Sequence, residues 1–254
     1  MYYIKKINMN EKINYFNKNG FVVLKNIIKK KQLKILLDEV EVIKTKAVKT
    51  KNKRFFHFTS DNKINSIHNI QKFYKSKILT DLTKNLIIQK FLKFILSKNI
   101  HVRNLEFFLK PKKTGMPSPL HQDNFFWNIL DSKAVNVWIA LSDANKYNGG
   151  VFYLQKSHKK GIINHVPSYM KGTSQKIHKY IIKKNNFKKY YPNLKKGDCI
   201  IHHCEVIHGS DKNLSNFDRI GIAISYKNKS SKIDIIGKKL YEKKVKENID
   251  KLYH

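Results

Sequence analysis

The sequence predicts a mainly β protein with flanking helices, built on a double-stranded β-helix (jelly-roll, cupin-like) core. From residue 101 onward, short β-rich runs are separated by turn residues and no helical pattern alternates with them, which is typical of an all-β sandwich or barrel. The number of runs suits a jelly roll of about eight strands. We expect strands at 103–110, 119–126, 134–142, 150–154, 194–203, 205–208 and 219–226.

The part of the chain before residue 101 has a different pattern. Apolar residues at helical spacing predict helices over 10–19, 29–45 and 81–96, and 21–24 is a strand-like apolar run. Residues 51–76 are polar with interspersed aromatic side chains, so we expect them to cover the core as a loop.

Two basic segments lie outside the predicted core. Residues 159–190 interrupt the strand pattern with an irregular insertion, which we expect to form a movable cover of the site together with 51–76. Residues 236–254 predict a basic helix on the outside. The insertion carries lysines that could meet an anionic group on a substrate: Lys171, Lys176, Lys179, Lys183 and Lys184. A solvated loop that makes no contact with the substrate is an equally good interpretation of this segment.

The length of 254 residues fits one domain, because β-sandwiches and barrels commonly reach this size as a single unit. We predict that this domain spans 1–254, with a helical N-terminal part over about 1–100. The jelly-roll core covers about 101–230, and the C-terminal helix about 236–254.

The formal charge of +34 raises the alternative of a basic nucleic-acid-binding protein, since neutralising phosphates alone gives salt-sensitive affinity. However, the lysines are spread along the whole chain, and no zinc-finger, helix-turn-helix or RNA-stacking signature accompanies them. We therefore keep nucleic-acid binding as an alternative only. An anionic substrate is compatible with the charge but is not required by it.

The sequence also bears on the compartment. It has no run of 18 or more apolar residues, so we expect no membrane partner, and its start lacks the pattern of a secretory signal. The two cysteines, Cys199 and Cys204, fall in one predicted strand region and are poorly placed to bridge each other. These features predict a cytoplasmic protein in a reducing environment.

The strongest chemical signal is a pair of distant motifs, His121-Gln122-Asp123 and His208-Gly209-Ser210. Two imidazoles and one carboxylate form the facial ligand set of non-haem Fe(II) sites. If 119–126 is a strand, His121 and Asp123 point to the same face. Taken alone, an H-x-D triplet is as compatible with solvated surface residues.

Three blocks of sequence surround these motifs in order. They read FFLKPKKTGMPSPLHQDNFFWN, VNVWIALSDANKYNGGVFYLQKSHKKG and KKGDCIIHHCEVIHGSDKNLSNFDRIGIAISY. Together they resemble the phytanoyl-CoA dioxygenase family of Fe(II)/2-oxoglutarate oxygenases. The opening segment YFNKNGFVVLKNIIKKKQLKILLDEV is similar to that family as well, so the resemblance runs from about residue 12 to about residue 226.

The resemblance implies an enzyme that uses Fe(II) with 2-oxoglutarate and O₂ as co-substrates, and hydroxylates an unactivated C–H bond while releasing succinate and CO₂. It implies His121, Asp123 and His208 as the iron ligands. A small residue in place of Asp123 would favour halogenation, so the carboxylate indicates hydroxylation. The alternative is a non-catalytic metal-binding jelly-roll protein, which would lack a ligand or the family arginine.

The resemblance also assigns a co-substrate site. Arg219 would hold the distal carboxylate of 2-oxoglutarate, since a guanidinium can donate two parallel hydrogen bonds. Ser210 could donate to the same carboxylate, Lys110 would lie near it, and Trp138 would border its pocket. For Lys110, one more solvated lysine is nearly as good an interpretation, and Trp138 could equally be a core residue.

Substrate contacts and the remaining histidines are less determined. We expect Trp127 and Phe125 to line the substrate pocket, although core packing is a strong alternative for Phe125. His203 is the rival for the ligand His208, and we interpret it either as a residue that supports the ligands from behind or as a structural residue. We interpret His202 as an ordinary polar residue. The substrate is expected to be a small molecule, and the resemblance does not identify it.

Overall fold

The polypeptide folds around two antiparallel β-sheets that face each other, as a computed structural model shows for residues 8–49, 55–170 and 173–253. The strands are β1 (Phe21–Leu24), β2 (Phe56–Phe58), β3 (Ile64–Ile67), β4 (Ile100–Lys110), β5 (Ser118–His121), β6 (Ala134–Ala140), β7 (Val151–Leu154), β8 (His165–Met170), β9 (Thr173–Ile177), β10 (Lys189–Tyr190), β11 (Cys199–His203), β12 (His208–Ser210) and β13 (Arg219–Asn228). The helices are α1 (Met9–Asn19), α2 (Lys30–Lys49), α3 (Lys77–Thr83), α4 (Leu86–Leu96), α5 (Asp123–Trp127), α6 (Lys179–Asn185) and α7 (Ile235–Tyr253).

The larger sheet has the strand order β1-β11-β6-β13-β4-β3-β2, and the smaller has the order β10-β7-β12-β5. One face of the larger sheet packs on α1, α2 and α4 and forms the main apolar core. Its other face packs on the smaller sheet through a second cluster that includes Phe21, Trp138 and Tyr153. Successive residues of a strand point to opposite faces, so each central strand serves both layers.

Strand β4 shows this division. Leu105, Phe107 and Leu109 point to the helices and are buried in the main core. The residues between them, such as Glu106 and Phe108, point to the smaller sheet and line the cavity described below. Burying a side chain such as Phe107 contributes about 1.5–3 kcal/mol. The helix-facing residues therefore stabilise the sheet, and the alternate residues are available for chemistry.

The N-terminal part contains strands as well as helices: β1 confirms the predicted strand-like run 21–24, whereas β2 and β3 lie in the segment 51–76 that was predicted as a loop. β1 pairs with β11 at one end of the larger sheet, and β3 pairs with β4 towards the other. Strands of three or four residues are too short for a reliable period-2 pattern, so β2 and β3 were predicted as loop. The predicted helix 81–96 is two helices, because the Asn85 side chain accepts hydrogen bonds from the backbone N–H groups of Ile87 and Ile88 and begins α4.

The insertion 159–190 is also more regular than predicted. β8 and β9 pair as a separate two-stranded sheet that contacts β5, and α6 and β10 follow. The predicted C-terminal helix is present as α7 and touches both α5 and β8. Among the described residues, no helix is both long and apolar enough to cross a lipid bilayer.

Candidate active site

A cavity of about 570 Å³ lies between the two sheets. The larger sheet contributes side chains of β4, β6 and β13, and the smaller sheet contributes side chains of β5, β7 and β12. Residues 68–72 and Tyr241 of α7 complete the wall. This volume lies in the range of pockets that bind small molecules.

Three metal-binding side chains converge in this cavity. His208 of β12 lies directly opposite His121 of β5 in the antiparallel register. The Nε2 atom of each imidazole lies 3.7 Å from Oδ1 of Asp123. One ligand atom from each of the three residues falls within 4.8 Å of the others. The sequence-predicted ligand set is thus brought together in a geometry that could hold one metal ion.

Asp123 reaches this position by a different route from the predicted one. β5 ends at His121, and Asp123 is the first residue of α5. Gln122 between them is extended, with φ −119° and ψ 129°, so the two flanking side chains still point to the same side. The chain leaves the ladder because the N–H of Asn124 donates to the carbonyl of Cys204 at 2.8 Å. The prediction of a strand over 119–126 was wrong after His121.

The two histidines present unprotonated Nε2 atoms. The Nδ1–H of His121 donates to the carbonyl of Pro119 at 2.7 Å, and the Nδ1–H of His208 donates to the carbonyl of Val206 at 3.0 Å. A carbonyl can only accept, so in each neutral ring the proton lies on Nδ1. Burial, with a neighbouring histidine, lowers the pKa of both imidazoles to about 4. Neutral imidazole is the form that binds a metal ion.

Asp123 is held as a carboxylate by its neighbours. Burial alone would raise its pKa, but the nearby His208 and the hydrogen bond from His202 hold the pKa below its usual range. Oδ2 accepts from Nε2–H of His202 at 3.0 Å and from Nδ2–H of Asn136 at 3.2 Å. The hydroxyl of Tyr153 lies 3.0 Å from Nδ1 of His202 and completes a chain behind the carboxylate. Oδ1 is thereby left to face the two imidazoles.

His202 and His203 lie on opposite faces of β11 and have different roles. The interpretation of His202 as an ordinary polar residue was wrong, because it holds Asp123. His203 points to the opposite face of β11, where its ring packs against Phe16 and His158. Strand alternation separates the two residues, but the sequence alone did not say which face of β11 looks into the site.

We expect His202→Phe to weaken Fe(II) binding by about 10- to 100-fold, the usual effect of removing a partner that orients a ligand. Phenylalanine retains a ring in the same space but cannot donate to Asp123. Anaerobic calorimetric titration with Fe(II) measures the change. His203→Phe in the same strand is the control and should bind Fe(II) as the wild type does. Wild-type affinity in His202→Phe would mean that Asn136 alone orients the carboxylate.

The opposite end of the cavity is cationic. Arg219 is 1% exposed, and its guanidinium lies 5.2 Å from the centre of the Trp138 ring. Burial lowers its pKa to about 9, so it stays charged at neutral pH. Its Nε and one terminal nitrogen are buried without a hydrogen-bond partner within the part of the chain that the structure describes. A buried, unpaired cation is costly, and a bound carboxylate would satisfy it.

Lys110 and Ser210 lie at the same end. Lys110 faces Arg219 across the β4–β13 ladder. Its Nζ donates to Oγ of Ser210 at 2.7 Å and to the carbonyl of Asp211. Burial, and then the charge of Arg219, hold the pKa of Lys110 well below its usual value. Lys110 is thus a buried neighbour of the cationic end rather than a solvated surface lysine.

Trp138 lies against a glycine of the neighbouring strand. A Cβ added to Gly221 would lie 2.0 Å from the indole Cζ2 atom, so the ring can occupy this position only if residue 221 has no side chain. We expect Gly221→Ala to lower stability by about 1–3 kcal/mol through overpacking. It should also weaken 2-oxoglutarate binding, because the indole that packs on Arg219 must move.

Denaturant unfolding and titration with 2-oxoglutarate measure these two effects. Gly161→Ala is the control, since an added Cβ there meets no atom within 4 Å, although its φ of +66° strains any other residue. It should cost some stability through this strain but leave co-substrate affinity unchanged. Unchanged affinity in Gly221→Ala would show that Trp138 does not hold the arginine.

The aromatic residues after the motif take different positions. Trp127 and Phe126 line the cavity. Phe125, expected to line it, instead stacks on His165 with ring centres 3.9 Å apart, so α5 turns it towards the insertion. Tyr241 packs against both phenylalanines and lines the cavity from α7, which the sequence did not indicate.

The predicted cover is only partly at the cavity. Within 51–76, residues 68, 69, 71 and 72 line it. None of the described residues of 159–190 does, so the insertion reaches the cavity wall indirectly, through His165 on Phe126 and Ser174 on Tyr241. Lys176, Lys179, Lys183 and Lys184 do not line the cavity, and Lys171 lies outside the described residues, so contact of these lysines with a substrate stays a hypothesis beside that of a solvated loop.

A model of the phytanoyl-CoA dioxygenase (PhyH) family matches residues 16–221. Human peroxisomal phytanoyl-CoA dioxygenase is 25% identical over 227 residues, covering 85% of this chain and 67% of that protein. Ectoine dioxygenase of Bordetella bronchiseptica is 22% identical over 235 residues, covering 85% of this chain and 74% of that protein.

Solved structures agree on the fold. EctD from S. alaskensis, with 2-oxoglutarate and 5-hydroxyectoine, superposes with a TM-score of 0.73 at 18% identity, covering 88% of this chain and 77% of that one. The epimerase SnoN, in complex with Fe³⁺, α-ketoglutarate and nogalamycin RO, gives a TM-score of 0.70 at 16% identity, covering 89% and 85%. The predicted jelly-roll core is confirmed.

Proposed function

Because this chain belongs to the phytanoyl-CoA dioxygenase family, we propose that it hydroxylates an unactivated C–H bond of a small molecule. The reaction class follows from the family: the protein is an enzyme, a 2-oxoglutarate-dependent dioxygenase that uses Fe(II), 2-oxoglutarate and O₂. That the reaction is a hydroxylation, and that its substrate is a small molecule, is part of the proposal.

The assignment rests on two features that occur in one cavity: a set of three metal-binding side chains and a buried cation. His121, Asp123 and His208 present converging ligand atoms, which fit Fe(II). Two nitrogens of the buried Arg219 guanidinium have no hydrogen-bond partner among the described residues, and the group fits the distal carboxylate of 2-oxoglutarate. Neither feature alone specifies the chemistry, but a metal triad facing a buried cation suits an ion and a dicarboxylate together.

Each residue has a defined task in this proposal. The two imidazoles and Asp123 would hold the iron, which supplies the activation of O₂ coupled to oxidative decarboxylation of the keto acid. His202 and Asn136 keep the Asp123 carboxylate ionised and oriented. Arg219 orients the co-substrate, and Trp138 packs on the guanidinium and limits its movement. Trp127 and Phe126 exclude water from the substrate end of the cavity.

The test is a coupled assay on protein reconstituted anaerobically with Fe(II) and then exposed to O₂ with a metabolite extract. We expect succinate to form and a metabolite to gain the mass of one oxygen. A product of unchanged mass would overturn hydroxylation while leaving the oxygenase assignment intact. Absence of succinate under all conditions would favour the non-catalytic alternative.

A further inference from the structure

Besides Arg219, two of the described residues that line the cavity are cationic, Arg103 and the exposed Lys72, and Arg103 lies far from Arg219. Arg103 lies near the start of β4, seven residues from Lys110, which faces Arg219. Seven residues of extended strand span about 23 Å. Asp123 contacts Asn136, and Asn136 lies in register with Ser225, which faces Asn104 on β4. The metal-binding residues are therefore at the level of Arg103, and the co-substrate end is at the other end of the strand.

Arg103 points into the cavity because of an irregularity in the sheet. Strict alternation from Leu105, Phe107 and Leu109 would place it in the apolar core. The register shifts, however: Ser225 faces Asn104 and the next residue, Tyr226, faces Val102. Arg103 is the extra residue of a β-bulge, a feature that re-aims side chains next to active sites.

The bulge is fixed by a side chain of the covering segment. Gln71 donates to the carbonyls of Arg103 and of the Asn104 side chain, and it accepts from the backbone N–H of Leu105. The Arg103 guanidinium lies 4.7 Å from the centre of the Trp127 ring, a cation–π contact that limits its orientation. Among the described residues it makes no hydrogen bond or ion pair, so its donors are available to a ligand.

Glu106 supplies the complementary charge. Its Oε1 accepts from Asn104 and contacts Nδ1 of His68 at 2.9 Å, which fixes the carboxylate. Oε2 makes no hydrogen bond with any described residue, and Glu106 lines the cavity. Residues 103 and 106 are three positions apart, at most about 10 Å along the strand. A small molecule whose ammonium and carboxylate groups are attached to one carbon atom, each with a hydrogen bond of about 2.9 Å to the protein, spans about that distance.

From this arrangement we infer that Arg103 and Glu106 form the primary-substrate subsite, and that the substrate is a small zwitterion of amino-acid type, with its carboxylate on Arg103 and its ammonium on Glu106. This inference rests on the proposed function, since it places the substrate beside the iron ligands. Arg103 can pair bidentately with a carboxylate, which fixes the molecule as well as binding it.

The experiment uses the anaerobic enzyme loaded with Fe(II) and 2-oxoglutarate, whose visible charge-transfer band reports on the metal environment. Four probes of equal chain length are titrated: norleucine, hexanoate, hexylamine and hexanol. We expect norleucine to perturb the band at the lowest concentration and hexanoate next. Hexylamine and hexanol should be weaker than norleucine by about tenfold or more, the factor that 1.4 kcal/mol represents. The band must persist, which shows that no probe displaces 2-oxoglutarate.

Four variants locate the effect. Arg103→Gln should weaken the binding of norleucine and of hexanoate by about tenfold or more. The affinity of Arg103→Lys should lie between those of Arg103→Gln and the wild type, because an ammonium cannot donate the two parallel hydrogen bonds of a guanidinium. Glu106→Gln should abolish the preference for norleucine over hexanoate. Lys98→Gln, which removes the same charge at an exposed position outside the cavity, should match the wild type.

Three results would overturn the inference: hexanol binding as tightly as norleucine, unchanged binding in Arg103→Gln, or no probe perturbing the wild-type band. A different failure would mark the proposed function itself. If Fe(II) and 2-oxoglutarate produce no charge-transfer band in the wild-type enzyme, the assignment of the iron and co-substrate sites is wrong before any probe is added.

Discussion

His208→Ala is expected to abolish stoichiometric Fe(II) binding. Its Nε2 is one of three converging ligand atoms, and with the imidazole gone His121 and Asp123 offer only two. Alanine also removes the ring whose Nδ1–H is fixed on the carbonyl of Val206, so no other side chain inherits that position. Anaerobic titration followed by metal analysis of the desalted protein gives the stoichiometry. His121→Ala should behave in the same way.

His203→Ala is the informative control for this prediction, because the two histidines are five residues apart in one motif. His203 packs against Phe16 and His158 on the far side of β11. Its loss should reduce stability through the missing contacts and leave about one Fe(II) bound per chain. Loss of iron in this variant, with iron retained in His208→Ala, would reverse the assignment of the ligand.

The central strands could be predicted because they are nearly continuous runs of apolar and β-branched residues bounded by turn residues. The run 134–142 contains β6 (Ala134–Ala140), and 219–226 lies within β13 (Arg219–Asn228). Both strands lie between other strands, so one face packs on helices and the other on the smaller sheet. Long-range pairings such as β1 with β11 could not be read, because a four-residue apolar run carries no information about its partner.

The candidate site, too, could be predicted from the sequence only in part. The ligand residues were recognisable from the family resemblance of the blocks around them and not from their types and spacing alone, and the structure brings all three together. The residues that tune them were not, because their positions depend on register and on which face looks inward. His202 contacts Asp123 only because β11 presents its even-numbered residues to the smaller sheet. Arg103 enters the cavity only because one residue is inserted opposite β13, which local sequence preference does not reveal.

Arg219→Ala is expected to raise the KM for 2-oxoglutarate far more than it lowers kcat. Removing one partner of a buried charge pair costs about 2–5 kcal/mol, which corresponds to about 30-fold to several thousand-fold in affinity. Succinate formation at varied 2-oxoglutarate concentration, with saturating Fe(II), measures the effect. Arg219→Lys should recover only part of it, because an ammonium keeps the charge without the two parallel donors.

The same variant should have the opposite effect on the protein without ligands. In the wild type the guanidinium is buried, and two of its nitrogens lack a partner in the part of the chain that the structure describes; an unpaired buried charge destabilises the fold. We therefore expect ligand-free Arg219→Ala to melt no lower than the wild type, despite the lost packing on Trp138. Adding 2-oxoglutarate should raise the melting temperature of the wild type only, since a ligand stabilises the state that binds it. If the variant keeps wild-type dependence on 2-oxoglutarate, the co-substrate carboxylate is held by Lys110 or by another donor, and the unpaired arginine has a different ligand.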